Sequence, residues 1–277
     1  MFVSLVKIKK YSIYLLLFLF FNCFFTNTVE AVNLATPTEY DVPDPDSTPA
    51  ETGNSQIKFA RGITFNNDGK RMFVSGLDGT QQGIRQFDLS VGFDLSSTIT
   101  PGSKVGKSRG DVTNEKIANP YSIRFNNDGT KLFFLQGVST TLREFTLSTA
   151  FDITSVSAHD SSDTVDYTLT TSNSSAGNSS GFAFNSDGTK LFVADSSNNQ
   201  IDVYSLSVGF DLDSTISYQS SQSLDISAES EAPRSVIFSR DGTTMFVLQS
   251  NQVDEYVLTT GYDLTTAKYV DSKGGTG

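Results

Sequence analysis

A chain of 277 residues with 37% hydrophobic and 18% charged residues has the composition of a folded globular protein, not of a disordered one. Its 20 Lys and Arg against 31 Asp and Glu, a net charge of −11 with a pI near 4.5, argue against a nucleic-acid partner, which needs clustered cations to displace phosphate counterions. One His, one Cys and no Trp exclude Cys/His zinc sites and disulfide frameworks, and leave most His-based catalysis without its residue.

The first 31 residues are an address. Lys7, Lys9 and Lys10 form a positive segment, an apolar stretch runs from Ile13 to Phe25, and Val29-Glu30-Ala31 places small residues before a cut. This pattern predicts a signal peptide over residues 1–31, cleaved after Ala31. A membrane anchor and a lipoprotein are the rival readings. The apolar run is shorter than the roughly 20 residues that cross a bilayer, and Phe20-Phe21-Asn22 before Cys23 lacks the small residues that lipid attachment wants. The mature chain, residues 32–277, is therefore expected to be secreted, periplasmic or extracellular, with no membrane span and no cysteine. Such a protein depends on its core alone for stability.

Residues 32–55 read as an outer strand and a loop. Asn33-Leu34 to Val42 matches the chain's own tail from Asp263-Leu264 to Asp271, and Pro37, Pro43, Pro45 and Pro49 mark a surface connection. Four copies of one unit follow, over about 56–110, 111–171, 172–228 and 229–273. Their first blocks are ITFNNDGKRMFV from Ile63, SIRFNNDGTKLFF from Ser122, FAFNSDGTKLFV from Phe182 and VIFSRDGTTMFV from Val236. The Asp-Gly pairs at Asp68, Asp128, Asp187 and Asp241 are 60, 59 and 54 residues apart. A second block follows each: LSVGFDL from Leu89, LSTAFDI from Leu147, LSVGFDL from Leu206 and LTTGYDL from Leu258.

Each unit reads as four antiparallel strands. Ile63 and Phe65 alternate with small or polar residues, as in a first strand. The Asn-Asp-Gly run then suits a tight hairpin. Met72–Val74 and its copies are apolar without alternation, which predicts a strand covered on both faces. A third strand carries Phe87 and Leu89, Phe145 and Leu147, Tyr204 and Leu206, and Tyr256 and Leu258 on one half-buried face. A fourth is read at Thr98–Val105, Val156–Asp160 and Ile216–Ser223. The gap from the second-strand Phe to the third-strand aromatic is 14, 12, 12 and 10 residues, and these even steps are expected to keep both aromatics on one side of the sheet. The fold class predicted is all-β: a β-propeller of four-stranded antiparallel blades, four in number, with the first and last expected to meet; part of a longer array is the alternative.

The F-N-x-D-G-T-K-[LM]-F-V block, followed by a strand of hydrophobic-x-x-[FY]-x-L type, resembles the repeats of bacterial β-propellers of the YVTN and lactonase-like (WD40-like) kind. The resemblance covers nearly all of residues 56–273 and implies the blade fold. It departs from those enzymes in blade number, since their rings usually carry about seven.

Two sets of aspartates repeat: Asp68, Asp128, Asp187 and Asp241 in the turns, and Asp94, Asp152, Asp211 and Asp263 in the second block. Calcium is one reading of such carboxylates. Turn chemistry, with each carboxylate accepting from backbone amides two residues on, is the favoured one, because each place holds a single carboxylate. No other cofactor is expected. Four residues before each first-strand Phe stand Arg61, Tyr121, Ser180 and Arg234, each followed by a small residue: Gly62, Ser122, Gly181 and Ser235. Small residues there fit strands converging closely. If the first and fourth units are neighbours, Arg61 and Arg234 form a paired-guanidinium anion site; the alternative is that they pair with acids such as Glu229 or Glu231.

Gly177-Asn178-Ser179-Ser180-Gly181 has the letters of a nucleophile elbow but opens a strand where that motif needs a helix. His159 reads as a surface residue, and Ser161–Ser180 as a surface connection in which Asn173 and Asn178 stand at sequon spacing. No catalytic residue and no metal ligand is assigned. The expectation is an exported binding or scaffold module that recognises a protein, a glycan or a small anion. Recognition would use the loops Gly76–Gly83, Gln136–Thr141, Asp195–Gln200 and Gln249–Gln252 and the mouth of the blades. A lactonase-like hydrolase using carboxylates or a bound cation is the alternative.

Overall fold

The computed structural model describes residues 59–78, 81–107, 117, 119–137, 140–156, 164–169, 179–229 and 232–274. The signal segment, the expected outer strand within 32–55, His159, Asn173, Asn178 and Glu231 lie outside the described residues. The fold class is all-β, of the β-propeller type, with four antiparallel blades. The first sheet runs in chain order through β1 (Phe59–Phe65), β2 (Arg71–Asp78), β3 (Gln81–Leu89) and β4 (Ile99–Lys107). The second contains β5 (Pro120–Phe125), β6 (Lys131–Gln136), β7 (Thr141–Thr146) and β8 (Thr164–Thr168). The third contains β9 (Ser179–Phe184), β10 (Lys190–Asp195), β11 (Gln200–Leu206) and an outer strand broken into β12 (Ile216–Tyr218) and β13 (Leu224–Asp225). The fourth contains β14 (Ser235–Phe238), β15 (Thr244–Leu248), β16 (Gln252–Leu258) and β17 (Ala267–Gly274).

The chain divides into two compact units, residues 1–129 with 147–159, and 130–146 with 160–277. In the first, Ile63, Phe65, Met72, Val74, Phe87, Leu89, Leu95 and Ile99 form the buried cluster of the first blade. On the other face of β2, Phe73 meets Phe125 of β5 with ring centroids 4.8 Å apart, and Phe125 meets Phe151 at 5.1 Å. The second unit repeats this arrangement. Phe133 packs on Phe184 at 4.9 Å and Phe192 on Phe238 at 4.5 Å, with Phe210 and Tyr262 in the places of Phe151. Phe133 and Phe192 are fully buried, each contributing roughly 1.5–3 kcal/mol from area removed from water. As expected, the second strands are buried on both faces from Leu132 to Leu135 in β6 and from Leu191 to Asp195 in β10, whereas in β15 Phe246 is only half-buried between Met245 and Val247.

The two repeated blocks turn out to be halves of one clasp. The hairpin after β1 turns through Gly69, and its carbonyl accepts from the backbone N–H of Phe93 in the β3–β4 loop (3.0 Å). The same bond joins Gly129 to Phe151, Gly188 to Phe210 and Gly242 to Tyr262 at 2.9 to 3.1 Å. Each aromatic ring fills the space that a Cβ on its glycine would need, with ring atoms 2.2 to 2.6 Å from that position. The aspartates hold the two turns. Asp68, Asp187 and Asp241 accept from the amides of Lys70, Thr189 and Thr243, and Asp94, Asp152, Asp211 and Asp263 accept from Ser96, Thr154, Asp213 and Thr265. Asp152 and Asp263 thereby cap the 3-10 turns Ile153–Ser155 and Leu264–Thr266. Side-chain bonds from Thr189 and Ser239 hold the Asp187 and Asp241 carboxyls below their ordinary range.

A cation at the start of the second strand reaches the clasp of the following blade. Arg71 Nη1 donates to the Phe151 carbonyl (3.3 Å), Lys131 Nζ lies 3.6 Å from Asp211 and 2.7 Å from Glu144, and Lys190 Nζ donates to the Tyr262 carbonyl (3.1 Å). Lys190→Met should lower stability by about 1 kcal/mol, read as a shift in urea midpoint at constant m-value. No shift at all would mean that solvent replaces this bond freely.

Three strand expectations need correction. The even loop steps do hold the register, but Phe87 faces Met72 across the ladder, Phe145 faces Leu132, and Tyr204 faces Leu191. The second-strand Phe and the third-strand aromatic therefore point to opposite faces, because even steps conserve parity without choosing it. Second, the third strand is not half-buried throughout. In β11 everything from Ile201 to Tyr204 is buried, and alternation sets in only towards the clasp. Third, the outer strand of the second blade lies at Thr164–Thr168, while Val156 makes only an isolated bridge with Leu147. That bridge is the counterpart of Leu89 with Ile99, after which β4 continues along the ladder; residues 157–160 of the expected strand lie outside the described residues. The outer strands carry comparable defects elsewhere, with register shifts at Arg85/Phe87 and Glu255/Tyr256 and the break between β12 and β13. Such irregularity blunts an edge that would otherwise recruit another strand.

Candidate functional site

In an antiparallel blade the clasp joins the β1–β2 and β3–β4 ends. In each blade the loop between the second and third strands and the start of the first strand therefore lie at the opposite end of that blade. Arg61, Tyr121, Ser180 and Arg234 are all at those starts. The repeated residues are consumed in building one end, and the sequence varies at the other.

In the first unit the structure brings Arg61 and Tyr121 together, with the guanidinium carbon 3.9 Å from the ring centroid. Close approach of two backbones makes this possible. A Cβ on Gly62 would lie 2.5 Å from the Tyr121 carbonyl and 3.1 Å from Ser122 Cα. Buried Ser75 ties the same carbonyl down, donating to it at 3.0 Å. Stacking on the ring satisfies the face of the guanidinium, and Nε of Arg61 has no hydrogen-bond partner among the described residues. A guanidinium held by its face keeps its in-plane donors for a planar anion. Three residues on, Arg124 donates from Nη1 to the Ile123 carbonyl (2.7 Å), and burial pushes its guanidinium down to about 9.

In the second unit Arg234 is exposed, and its backbone N–H donates to the Leu248 carbonyl at 2.7 Å. Gly181 allows the same close approach as Gly62, since a Cβ there would lie 2.6 Å from Ser235 Cα and 2.7 Å from the Arg234 carbonyl. Ser180 is on β9, its side chain outside the described ones. The strand running on from Ser179 to Phe184 replaces the helix that a nucleophile elbow needs.

Sequence patterning does not single out a set of charges on the third strands, three of them buried and Arg143 partly so. Arg85, Arg143, Asp202 and Asp254 occupy one ladder position, opposite Val74, Phe134, Val193 and Val247. Arg143 makes a two-pronged pair with Asp166 of β8, at 2.5 and 2.6 Å. Asp202 and Asp254 are both completely buried and are met by glutamines instead: Gln200 for the first, Gln249 and Gln252 for the second. Burial, with the nearby Asp195 charge, pushes the Asp202 carboxyl up to about 7, and burial raises that of Asp254. The signal in the sequence was the Gln-x-Asp pair at Gln200–Asp202 and Gln252–Asp254. Among the described residues no group of three or more His, Cys, Asp or Glu is placed to hold a metal ion, and no helix is long and apolar enough to cross a membrane.

No family model and no curated protein matches the sequence. Among solved structures, the chain is similar to a protein of unknown function from Desulfotomaculum acetoxidans, with 16% identity and a TM-score of 0.48 over 78% of this chain and 56% of that one. It is also similar to a 6-phosphogluconolactonase candidate from Bacteroides uniformis, with 14% identity and a TM-score of 0.47 over 77% of this chain and 56% of that one. A third is the periplasmic gluconolactonase of Pseudomonas aeruginosa, with 14% identity and a TM-score of 0.45 over 78% of this chain and 54% of that one. The chain thus spans little more than half the length of these proteins, and likeness at this level does not bear on its activity.

Proposed function

We propose that the protein is an exported binding module that takes an anionic group, carried by a protein, a glycan or a small molecule, at the end of the blades opposite the clasp. The Lys7–Ala31 pattern supports export. The observation that carries the binding reading is the Arg61 guanidinium stacked on Tyr121 at 3.9 Å, its buried Nε without a hydrogen-bond partner among the described residues. A preorganised guanidinium in a protein of net charge −11 is a local positive spot that discriminates sharply for anions. In the second unit Arg234 is a separate candidate contact, and the loops between second and third strands there, Asp195–Gln200 and Gln249–Gln252, supply specificity to it.

Calorimetric titration of residues 32–277 with sugar acids such as galacturonate, and with the matching neutral sugars, tests this. Arg61→Ala should weaken binding of the acids about 10- to 100-fold, and Arg61→Lys should recover only part of it. Equal binding of acid and neutral sugar, or indifference to Arg61→Ala, would remove the anion from the reading. A hydrolase using carboxylates is the second reading, favoured by Asp195 and Asp202 lying together in the third blade. Both are completely buried, which supports the binding reading over it. Turnover of a gluconolactone, abolished by Asp202→Asn, would reverse that order.

A further inference from the structure

We propose that Asp202 is a proton-operated latch, which in its neutral form fastens the β10–β11 loop and the broken outer strand of the third blade, and releases them when it ionises. Asp202 sits on β11 with no exposure to solvent. Oδ1 accepts from Gln200 Nε2 (2.5 Å) and from Tyr218 Oη (3.1 Å), and Gln200 Nε2 also lies 3.3 Å from Tyr218 Oη. Oδ2 is buried and has no hydrogen-bond partner among the described residues. A buried carboxylate normally recruits a cation or several amide donors. Here both donors are neutral.

The surroundings also disfavour the charge. Asp195, at the end of β10, is fully buried and already committed to the loop: it accepts from the amides of Ser197 (2.8 Å) and Asn198 (3.3 Å) and from Asn198 Nδ2 (2.7 Å). Its negative charge adds to the cost of ionising Asp202. Among the described residues, the other titratable groups packed around the site are Tyr204 on β11, Tyr218 on β12, Tyr167 on β8, whose ring stands edge-on to Tyr204 at 6.3 Å, and the acidic Asp225 on β13 opposite Gln200. Burial and the neighbouring Asp202 raise the Tyr204 phenol, so none of these supplies a positive charge.

What the latch holds is visible in the chain path. Gln200 closes the β10–β11 loop by pairing with Asp195 on one side and Asp225 of β13 on the other. Tyr218 ends β12, immediately before the chain leaves the ladder for Gln219–Ser223 and returns at Leu224. One carboxyl therefore touches the last residue before the break and the residue that pairs with the strand after it. The fourth blade has the same device in outline, with Gln249 and Gln252 on Asp254, but there both carboxylate oxygens are bonded and the outer strand is unbroken.

The sign of the pH effect follows. The folded Asp202 keeps its proton up to about 7, whereas the unfolded residue releases it near 3.8. Stability is full below the lower value, falls as pH rises between the two, and the loss is complete above the higher. The melting temperature should fall by about 5 °C between pH 5.5 and 8.5. Over the same interval, hydrogen-exchange protection factors should drop within 195–200 and 218–225 while those of β15 hold. Asp202→Asn, which keeps the shape and cannot ionise, should flatten both profiles. Tyr218→Phe removes a donor to the ionised form and should move the midpoint up; Asp195→Asn removes the like charge and should move it down. An unchanged pH profile in Asp202→Asn, or its loss on Asp254→Asn instead, overturns the latch. If Asp202→Asn does not fold, the opposed midpoint shifts of the other two variants decide, and shifts in the same direction overturn it.

Discussion

Gly188→Ala is expected to destabilise the protein by about 3 kcal/mol, far more than an ordinary Gly-to-Ala change in a loop. Two costs combine. The backbone there has φ of +74°, where an L residue with a Cβ is disfavoured by about 1–2 kcal/mol. The added methyl would also land on the Phe210 ring, which is held in place by its own N–H on the Gly188 carbonyl (3.1 Å) and by Phe184 at 5.1 Å. Phe210 itself sits at a positive φ of 56°, so the ring has little freedom to retreat. Gly209, the neighbouring glycine of the same clasp, makes the control. A Cβ there would meet the Asp187 carbonyl, but the corresponding position of the second blade is Ala150, so this loop can relax around a methyl. Urea denaturation should therefore rank Gly188→Ala well below Gly209→Ala. Equal losses would mean that the aromatic ring, and not the turn backbone, gives way.

The clasp was legible because its chemistry is local. An Asp-Gly pair, a Phe three residues before it and a Phe or Tyr in the next block are fixed in number and spacing by one hairpin and one loop, whatever else the fold does. Blade number and strand order followed from counting those copies. The face of each third-strand aromatic was not legible, since loop lengths differing by even steps leave parity undetermined. Nor were the buried charges. Arg85 and Asp202 occur in strands whose last residues alternate cleanly, as in Phe87-Asp88-Leu89, and that alternation was extended back over residues that packing covers on both sides. Of the four candidate binding residues, Arg61 and Tyr121 came together because each is followed by a residue small enough for β1 and β5 to touch. The stacking itself is a side-chain outcome with no one-dimensional signature.

The same small residues lead to the other large effect. Gly62→Val should cost about 3–4 kcal/mol and should also weaken anion binding, although Gly62 touches no ligand. Its Cβ would stand 2.5 Å from the Tyr121 carbonyl, and that carbonyl cannot simply turn aside, because Ser75 donates to it and Ser75 is itself buried beneath the two strands. Relief requires β5 to move away from β1, and β5 carries Tyr121 with it. At 3.9 Å from the ring centroid the Arg61 guanidinium is at contact distance, so a shift of about 1 Å forfeits roughly a quarter to a half of the dispersion contact and loosens a long side chain. Binding should then fall towards the level of Arg61→Ala while the arginine is still present. Gly181→Val, the matching change in the second unit against Ser235 Cα at 2.6 Å, should cost similar stability and leave the Arg61–Tyr121 pair intact. If both variants are equally destabilised and both bind sugar acids as the parent does, the close approach serves packing alone, and the guanidinium finds its anion without the ring beneath it.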